Sequence, residues 1–253
     1  MIKLAWHSQD GRLRRRFVPA MIVSAPVGLQ ERPFNPWELK AGEVHVWVGT
    51  VPERIMAVDR LMELLSQQER QRVQSYSNHK SVRQFVFGRG LLRELLGKYT
   101  GQAPAGLNLV PGGNGKPELV SDSCGDLRFN VSHAGSLAAF AFARGMAVGI
   151  DIEEILQLPE TETRASAELL FNGEPVPASD WRTDNHAFFW SWTRLEAIAK
   201  CVGSGLVDDP MRLIQRFEGT LHPFVPHPGY VGTVAILGKD GNYTFRRWAS
   251  EQV

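Results

Sequence analysis

Val148-Gly149-Ile150-Asp151-Ile152-Glu153 is a short apolar run that carries two carboxylates one residue apart. In an extended strand alternate side chains share a face, so Asp151 and Glu153 point one way while Ile150 and Ile152 fill the other. Such a pair can form half of a platform for a divalent metal. It can equally be two solvated acids at a strand end, because acidic side chains are mostly surface residues. The pair alone does not decide between these readings, and the segments on either side must.

On the N-terminal side, Phe129-Asn130-Val131-Ser132-His133-Ala134-Gly135 leads into Leu137 to Ala143, apolar and mostly small, as a buried strand would be. His133 and Ser132 could donate to phosphate oxygens, or serve the structure as a histidine at a strand start usually does. Before them lies Pro111-Gly112-Gly113-Asn114-Gly115-Lys116-Pro117, a dense turn that lacks P-loop spacing. Val82 to Tyr99 predicts a strongly amphipathic helix with Phe85, Val86, Leu91, Leu92, Leu95 and Leu96 inward. Arg83, Arg89 and Arg93 are interspersed there, either paired with carboxylates or presenting their planar forks to phosphate. Pro52 to Leu65 has helical spacing, Ser66 and Glu69 form a capping-box signature for a further helix, and Val44 to Val48 reads as a strand. Residues 1–43 show neither period and are read as an irregular extension, with Arg12 to Arg16 a solvated charge run or a binding arm.

On the C-terminal side, residues 154–174 are compatible with helix, interrupted by Pro159. Phe188 to Lys200 predicts a helix whose aromatic stripe belongs to a core. Glu196 and Lys200 stand one turn apart on it, as a surface ion pair or as a third carboxylate beside a phosphate donor. Gly203 and Gly205 close this helix. The runs Tyr230 to Leu237 and Tyr243 to Trp248 predict antiparallel strands joined by a hairpin turn at Asp240-Gly241-Asn242.

Composition narrows the class. The chain has 253 residues, with 28 basic against 27 acidic side chains, so no electrostatic attachment to nucleic acid or acidic lipid is expected. Two distant cysteines, Cys124 and Cys201, suggest neither a zinc site nor a disulfide framework. No signal-peptide pattern and no apolar run of membrane-spanning length is present, so a cytoplasmic protein with no membrane partner is expected.

The order of four segments is more telling than any one of them. Gly115-Lys116-Pro117-Glu118-Leu119, Phe129-Asn130-Val131-Ser132-His133, Val148-Gly149-Ile150-Asp151-Ile152-Glu153 and Trp192-Thr193-Arg194-Leu195-Glu196-Ala197-Ile198-Ala199-Lys200 together resemble the 4'-phosphopantetheinyl transferase superfamily, in its long, monomeric Sfp-like branch. The resemblance runs from about Val44 to Leu206. It implies an α+β fold made of a pseudo-twofold pair of similar subdomains, each a small antiparallel sheet with a packed long helix. The halves are expected at 44–145 and 146–253, the second carrying the metal site.

The implied reaction moves the phosphopantetheine arm of coenzyme A to a serine of an apo carrier protein (acyl, polyketide or peptidyl carrier), with Mg²⁺, releasing 3',5'-adenosine bisphosphate. By the family pattern Asp151, Glu153 and Glu196 are the metal ligands, and Glu196 is also the candidate base. Lys200 is expected on the pyrophosphate. Ser132 and His133 are expected on the coenzyme's phosphates, Lys116 and Pro117 beside its adenine, and Arg89 and Arg83 at its 3'-phosphate. Two positions depart from the pattern. Leu195 stands where the family usually has a lysine beside the base, which opens the alternative of a weakly active or non-catalytic carrier-binding homologue. Ser81 stands where relatives often have an acid or an arginine. A metal-dependent hydrolase of a nucleotide pyrophosphate, using the same acids, is a third reading.

Overall fold

The structure is a computed structural model that describes residues 6–9, 12–15, 37–53, 58–112, 116–120, 125–157, 186–205, 210–238 and 241–248. Of the helix-compatible segment expected over 154–174, residues 154–157 are not helical, Glu154 closing a strand, and the remainder lies outside the described residues. The chain divides into two units, Met1–Phe34 and Asn35–Val253. In the first, strands β1 (Trp6–Gln9) and β2 (Arg12–Arg15) pair antiparallel, with Gln9 opposite Arg12. The segment read as irregular therefore carries two paired strands. Strands of four residues are too short to show a period from which to read them.

The second unit is built on two sheets. β3 (Glu43–Thr50), β6 (Leu127–Ala134), β7 (Leu137–Arg144) and β11 (Asn242–Arg247) form the larger, in the order β11-β3-β7-β6. β8 (Val148–Glu154), β9 (Gly219–Phe224) and β10 (Tyr230–Leu237) form the smaller, in the order β8-β10-β9. Their inner faces share one apolar cluster: Val44, Val46 and Val48 from β3, Leu137, Ala139, Ala141 and Ala143 from β7, and Val148, Ile150 and Ile152 from β8. The alternate residues of β3 and β7, Trp47, Ala138, Phe140 and Phe142, join a second cluster beneath a long helix, α3 (His79–Thr100). β7 is covered on both faces, which is why its sequence is apolar without alternation.

On the outer face of the smaller sheet lies α4 (His186–Val202), with Ala197, Ile198 and Cys201 against Ala235 of β10. Each sheet thus carries one long helix on its outer side, the α+β arrangement of two like halves expected from the sequence. Gly149 makes the close approach of α4 to β8 possible. A β-carbon added there would lie 2.5 Å from the Cys201 amide nitrogen and nearer still to the carbonyl oxygen of Ala197.

Local signals explain the helix ends. α1 (Asp59–Glu63) runs into the reciprocal capping box of Ser66 and Glu69, which opens α2 (Gln67–Gln74) as predicted. α3 begins three residues before Val82 because Asn78 caps it, its side-chain oxygen accepting from the Ser81 amide at 2.8 Å. It ends at Gly101, whose φ of 70° is the left-handed conformation glycine tolerates. Two short strands, β4 (Leu109–Pro111) and β5 (Pro117–Leu119), flank the turn that carries Lys116, and α5 (Pro210–Arg216) precedes β9.

The C-terminal hairpin expected at Asp240-Gly241-Asn242 is corrected by the strand pairing. β10 has β8 on one edge and β9 on the other, leaving no edge for β11. β11 instead pairs parallel with β3, Asn242 opposite Glu43 and Arg247 opposite Val48, so the larger sheet is mixed and not wholly antiparallel. Tyr243 and Phe245 add to the apolar layer between the sheets, and Trp248 meets Trp47 edge-on at 6.2 Å. A buried polar group secures the junction. His45 Nδ1 is 2.7 Å from the Tyr99 hydroxyl, which also accepts from Trp47 Nε1 at 2.8 Å, and Arg246 of β11 lies over the Trp47 ring. Burial, reinforced by the Arg246 charge, brings the His45 pKa down to about 4.

Candidate functional site

β8 is the seam between the halves. One edge pairs with β10, and the other meets β6 through side chains. Asn130 Oδ1 accepts from the Ile150 amide at 2.9 Å, and Ser132 Oγ accepts from the Ile152 amide at 3.4 Å. With Ile150 and Ile152 committed to the layer between the sheets, Asp151 and Glu153 must turn to the opposite face, toward α4. On α4, Ala197, Ile198 and Cys201 fill the core, and this sets Glu196 and Lys200 on the flank facing the acids.

Asp151 is only 3% exposed. Its Oδ1 accepts from Ser132 Oγ at 2.8 Å and from Lys200 Nζ at 2.6 Å, and Lys200 Nζ also reaches Ser132 Oγ at 3.3 Å. Among the described residues, Asp151 Oδ2 is buried with no hydrogen-bond partner. Burial pushes the Asp151 pKa up, against the charge of Lys200. Glu153 rises to about 7, through burial first and the Asp151 charge second, while a hydrogen bond from Trp192 opposes the rise. Burial likewise raises Glu196, with Lys200 opposing and Asp151 adding.

These groups line a cleft of about 1010 Å³, whose walls also include Arg89, Lys116, Pro117, Asn130, Ser132 and His133. Lys116 Nζ donates to the Lys200 carbonyl oxygen at 3.2 Å, which ties the turn after β4 to the end of α4. Burial lowers the Lys116 pKa, and burial together with the Lys200 charge lowers that of His133. The cleft therefore joins carboxylates at one point to cation and imidazole donors around it, a wall suited to a polyanionic ligand held with a metal ion.

Of the residues singled out in the sequence, Asp151, Glu153, Glu196, Lys200, Lys116, Pro117, Ser132, His133 and Arg89 all line this cleft. Arg89 is also bound to Glu69 at 3.3 Å. Arg83 is on α3 but is not among the lining residues. Arg93 is structural: at 1% exposure it donates to Glu69 and to the carbonyl oxygens of Pro104 and Leu107. Leu195 is 4% exposed and does not line the cleft.

Sequence reasoning missed Arg72, Tyr76, Gln84, Phe85 and Trp192 as cleft residues. Trp192 precedes Glu196 by one helical turn and was accessible to that spacing, but its aromatic character reads first as core. Asn130 precedes Ser132 by two on a strand and shares its face. Arg72 and Tyr76 carry no comparable signal.

The donor set fits a small divalent cation. All three acids offer hard oxygen ligands, burial disfavours each of them as an isolated anion, and Asp151 Oδ2 has no hydrogen-bond partner among the described residues. Among the described residues no three His, Cys, Asp or Glu side chains form a ready-made cage, and the cation now beside Asp151 is Lys200.

Comparison with known proteins shows the family. Residues 53–144 match the family model described as 4'-phosphopantetheinyl transferase, N-terminal, and residues 147–248 match that of the 4'-phosphopantetheinyl transferase superfamily. The chain is 28% identical over 214 residues to the 4'-phosphopantetheinyl transferase HetI of Nostoc sp., covering 79% of this chain and 90% of that one. It is 26% identical over 169 residues to slr0495 of Synechocystis sp., covering 66% and 68%. A phosphopantetheinyl transferase of Thraustochytrium sp. is 26% identical over 160 residues, covering 58% and 55%. No described helix is long and apolar enough to cross a membrane.

Proposed function

The chain belongs to the 4'-phosphopantetheinyl transferase superfamily, whose members move phosphopantetheine to carrier proteins, and on that premise we propose that it takes the arm from coenzyme A and attaches it to a carrier serine. The observation that carries this reading is the meeting of Asp151, Glu153, Glu196 and Lys200 in a cleft also lined by Lys116, His133 and Arg89. The first four address a reacting pyrophosphate, and the others suit the rest of the coenzyme, including its 3'-phosphate.

Asp151, Glu153 and Glu196 would hold a Mg²⁺ ion, which when bound supplies charge neutralisation on the pyrophosphate. The chain's own groups do the rest. Glu196, whose pKa is raised by burial, takes the proton of the carrier serine hydroxyl, directly or through water. The serine oxygen bonds to the phosphorus bearing the pantetheine arm, and the bond from that phosphorus to the bridging oxygen breaks. The electron pair leaves on 3',5'-adenosine bisphosphate, beside the ammonium of Lys200. His133 and Lys116 orient the coenzyme, with Arg89 at the 3'-phosphate. Arg83, outside the cleft wall, is not given that part.

Burial of Leu195 favours an active enzyme over a weakened binding homologue. A side chain turned into the packing does not remove a cation from the cleft wall. The protein is read as a cytoplasmic monomer holding both halves of the site in one chain, with its carrier from fatty-acid, polyketide or nonribosomal-peptide synthesis.

Purified protein, coenzyme A, Mg²⁺ and a panel of apo carriers provide the test. A carrier that gains the phosphopantetheine mass is the expected result. No gain on any carrier with generous enzyme overturns the reading, and release of phosphopantetheine without carrier identifies a hydrolase instead.

A further inference from the structure

In this chain the acid at the centre of the site is already neutralised. Lys200 Nζ sits 2.6 Å from Asp151 Oδ1 and 3.3 Å from Ser132 Oγ, and Ser132 Oγ itself donates to the same carboxylate oxygen. A carboxylate 4% exposed in its side chain is stable as an anion only with a cation beside it, and the ammonium supplies that charge. The lysine is not itself entombed: its side chain is 29% exposed, and it lines the cleft along with Arg89, Lys116 and His133. A flexible four-carbon arm at the end of α4 can hold Asp151 or swing toward an anion in the cleft, and each shift toward the anion weakens its hold on Asp151. A divalent ion seeking Asp151 meets a like charge already in contact with it.

We propose that Lys200 is a positioning residue that holds Asp151 Oδ1 and opposes metal binding there in the ligand-free protein, and that this opposition is relieved when a pyrophosphate in the cleft draws the ammonium away. The inference rests on the proposed transferase reading, which supplies the pyrophosphate. Its consequence is thermodynamic. Metal and coenzyme bind cooperatively, part of that cooperativity passes through one side chain, and by linkage each ligand raises affinity for the other by the same factor.

The test uses the full chain and Mn²⁺ as the metal probe, titrated by electron paramagnetic resonance with and without saturating coenzyme A and with no carrier, so that no turnover occurs. In the wild type, coenzyme A is expected to tighten Mn²⁺ binding by roughly tenfold or more, within the usual range of coupling between sites. In Lys200→Met, Mn²⁺ alone should bind at least about fivefold more tightly than to wild type, and the tightening by coenzyme A should shrink by a similar factor. Lys200→Gln keeps a hydrogen-bond donor for Asp151 without the charge. It is expected to behave like the Met variant and gives the same comparison if that variant does not fold.

An equal gain in Mn²⁺ affinity with and without coenzyme A would show that Lys200 is only a nearby charge, and overturns the inference while leaving the transferase reading intact. Unchanged Mn²⁺ affinity in the ligand-free variants overturns it too. Absence of Mn²⁺ binding to wild type and variants alike, even with coenzyme A, removes the metal assignment of the transferase reading and this inference with it.

Discussion

Replacing Gly149 by alanine tests the packing that brings the two sides of the site together. The added β-carbon would stand 2.5 Å from the Cys201 amide nitrogen and nearer to the Ala197 carbonyl oxygen, whereas ordinary contact begins near 3.4 Å. Both obstacles are helix backbone and cannot rotate aside, so α4 must retreat from β8 by about an ångström or the strand must buckle. Overpacking of this kind costs about 1–3 kcal/mol. In a chain of this size that lowers the melting temperature by roughly 2–10 °C. Catalysis should suffer more than stability. Glu196 and Lys200 ride on α4 while Asp151 and Glu153 stay on β8, and a misplacement of about 1 Å can cost on the order of 100-fold in rate.

Thermal melting followed by circular dichroism and single-turnover transfer to a carrier measure the two effects. Gly88→Ala is the stability control, since a β-carbon there meets nothing within 4 Å and alanine favours a helix. A Gly149→Ala protein with the wild-type melting point and a rate within a factor of two would refute the argument that close approach of α4 to β8 sets the site.

Three further outcomes follow from the same geometry. Glu196→Gln is expected to lower transfer by about 100-fold or more, as loss of a general base does, while the melting temperature holds; near wild-type turnover would refute the role given to Glu196. Leu195→Lys places an amine at a position 4% exposed, and should lose about 1–3 kcal/mol in urea unfolding without raising kcat; a faster enzyme would show that the family's lysine reaches the cleft here too. His45 has a folded pKa of about 4, below its ordinary value of 6.5, so the unfolded chain binds the proton more readily. The stability this gives is complete above about pH 6.5 and is lost as pH falls toward 4, with a slope of up to about 1.4 kcal/mol per pH unit. His45→Gln should flatten that slope, and an unchanged pH profile of unfolding would place the titration elsewhere.

The site was legible from the sequence to the extent that its residues obey a local period. Alternation along β8 puts Asp151 and Glu153 on one face, and helical spacing sets Glu196 beside Lys200. What joins the two pairs is the approach of α4 to a glycine, and no local rule reports that distance. The arginines of α3 show the same limit. Arg83, Arg89 and Arg93 look alike in sequence, yet Glu69 and two carbonyl oxygens claim Arg93, Arg89 lines the cleft, and Arg83 does not. Leu195 was conspicuous as a departure from the family pattern, but its burial depends on which side of α4 meets the core. The C-terminal strands were legible as strands and misjudged in partner, because a turn-forming tripeptide suggests a hairpin only if the preceding strand has a free edge. β10 has none.

The pairing of β11 with β3 also orders events in time. During synthesis the chain can lay down β3, β7, β6 and α3 long before residues 242–247 exist, so the larger sheet waits with one edge of β3 open. That edge closes only after the whole smaller sheet has been made. The last described strand thus completes the first sheet that the second unit starts. A chain truncated shortly before Asn242 would keep every residue assigned to the chemistry and still leave β3 as an unpaired template, open to another chain's strand.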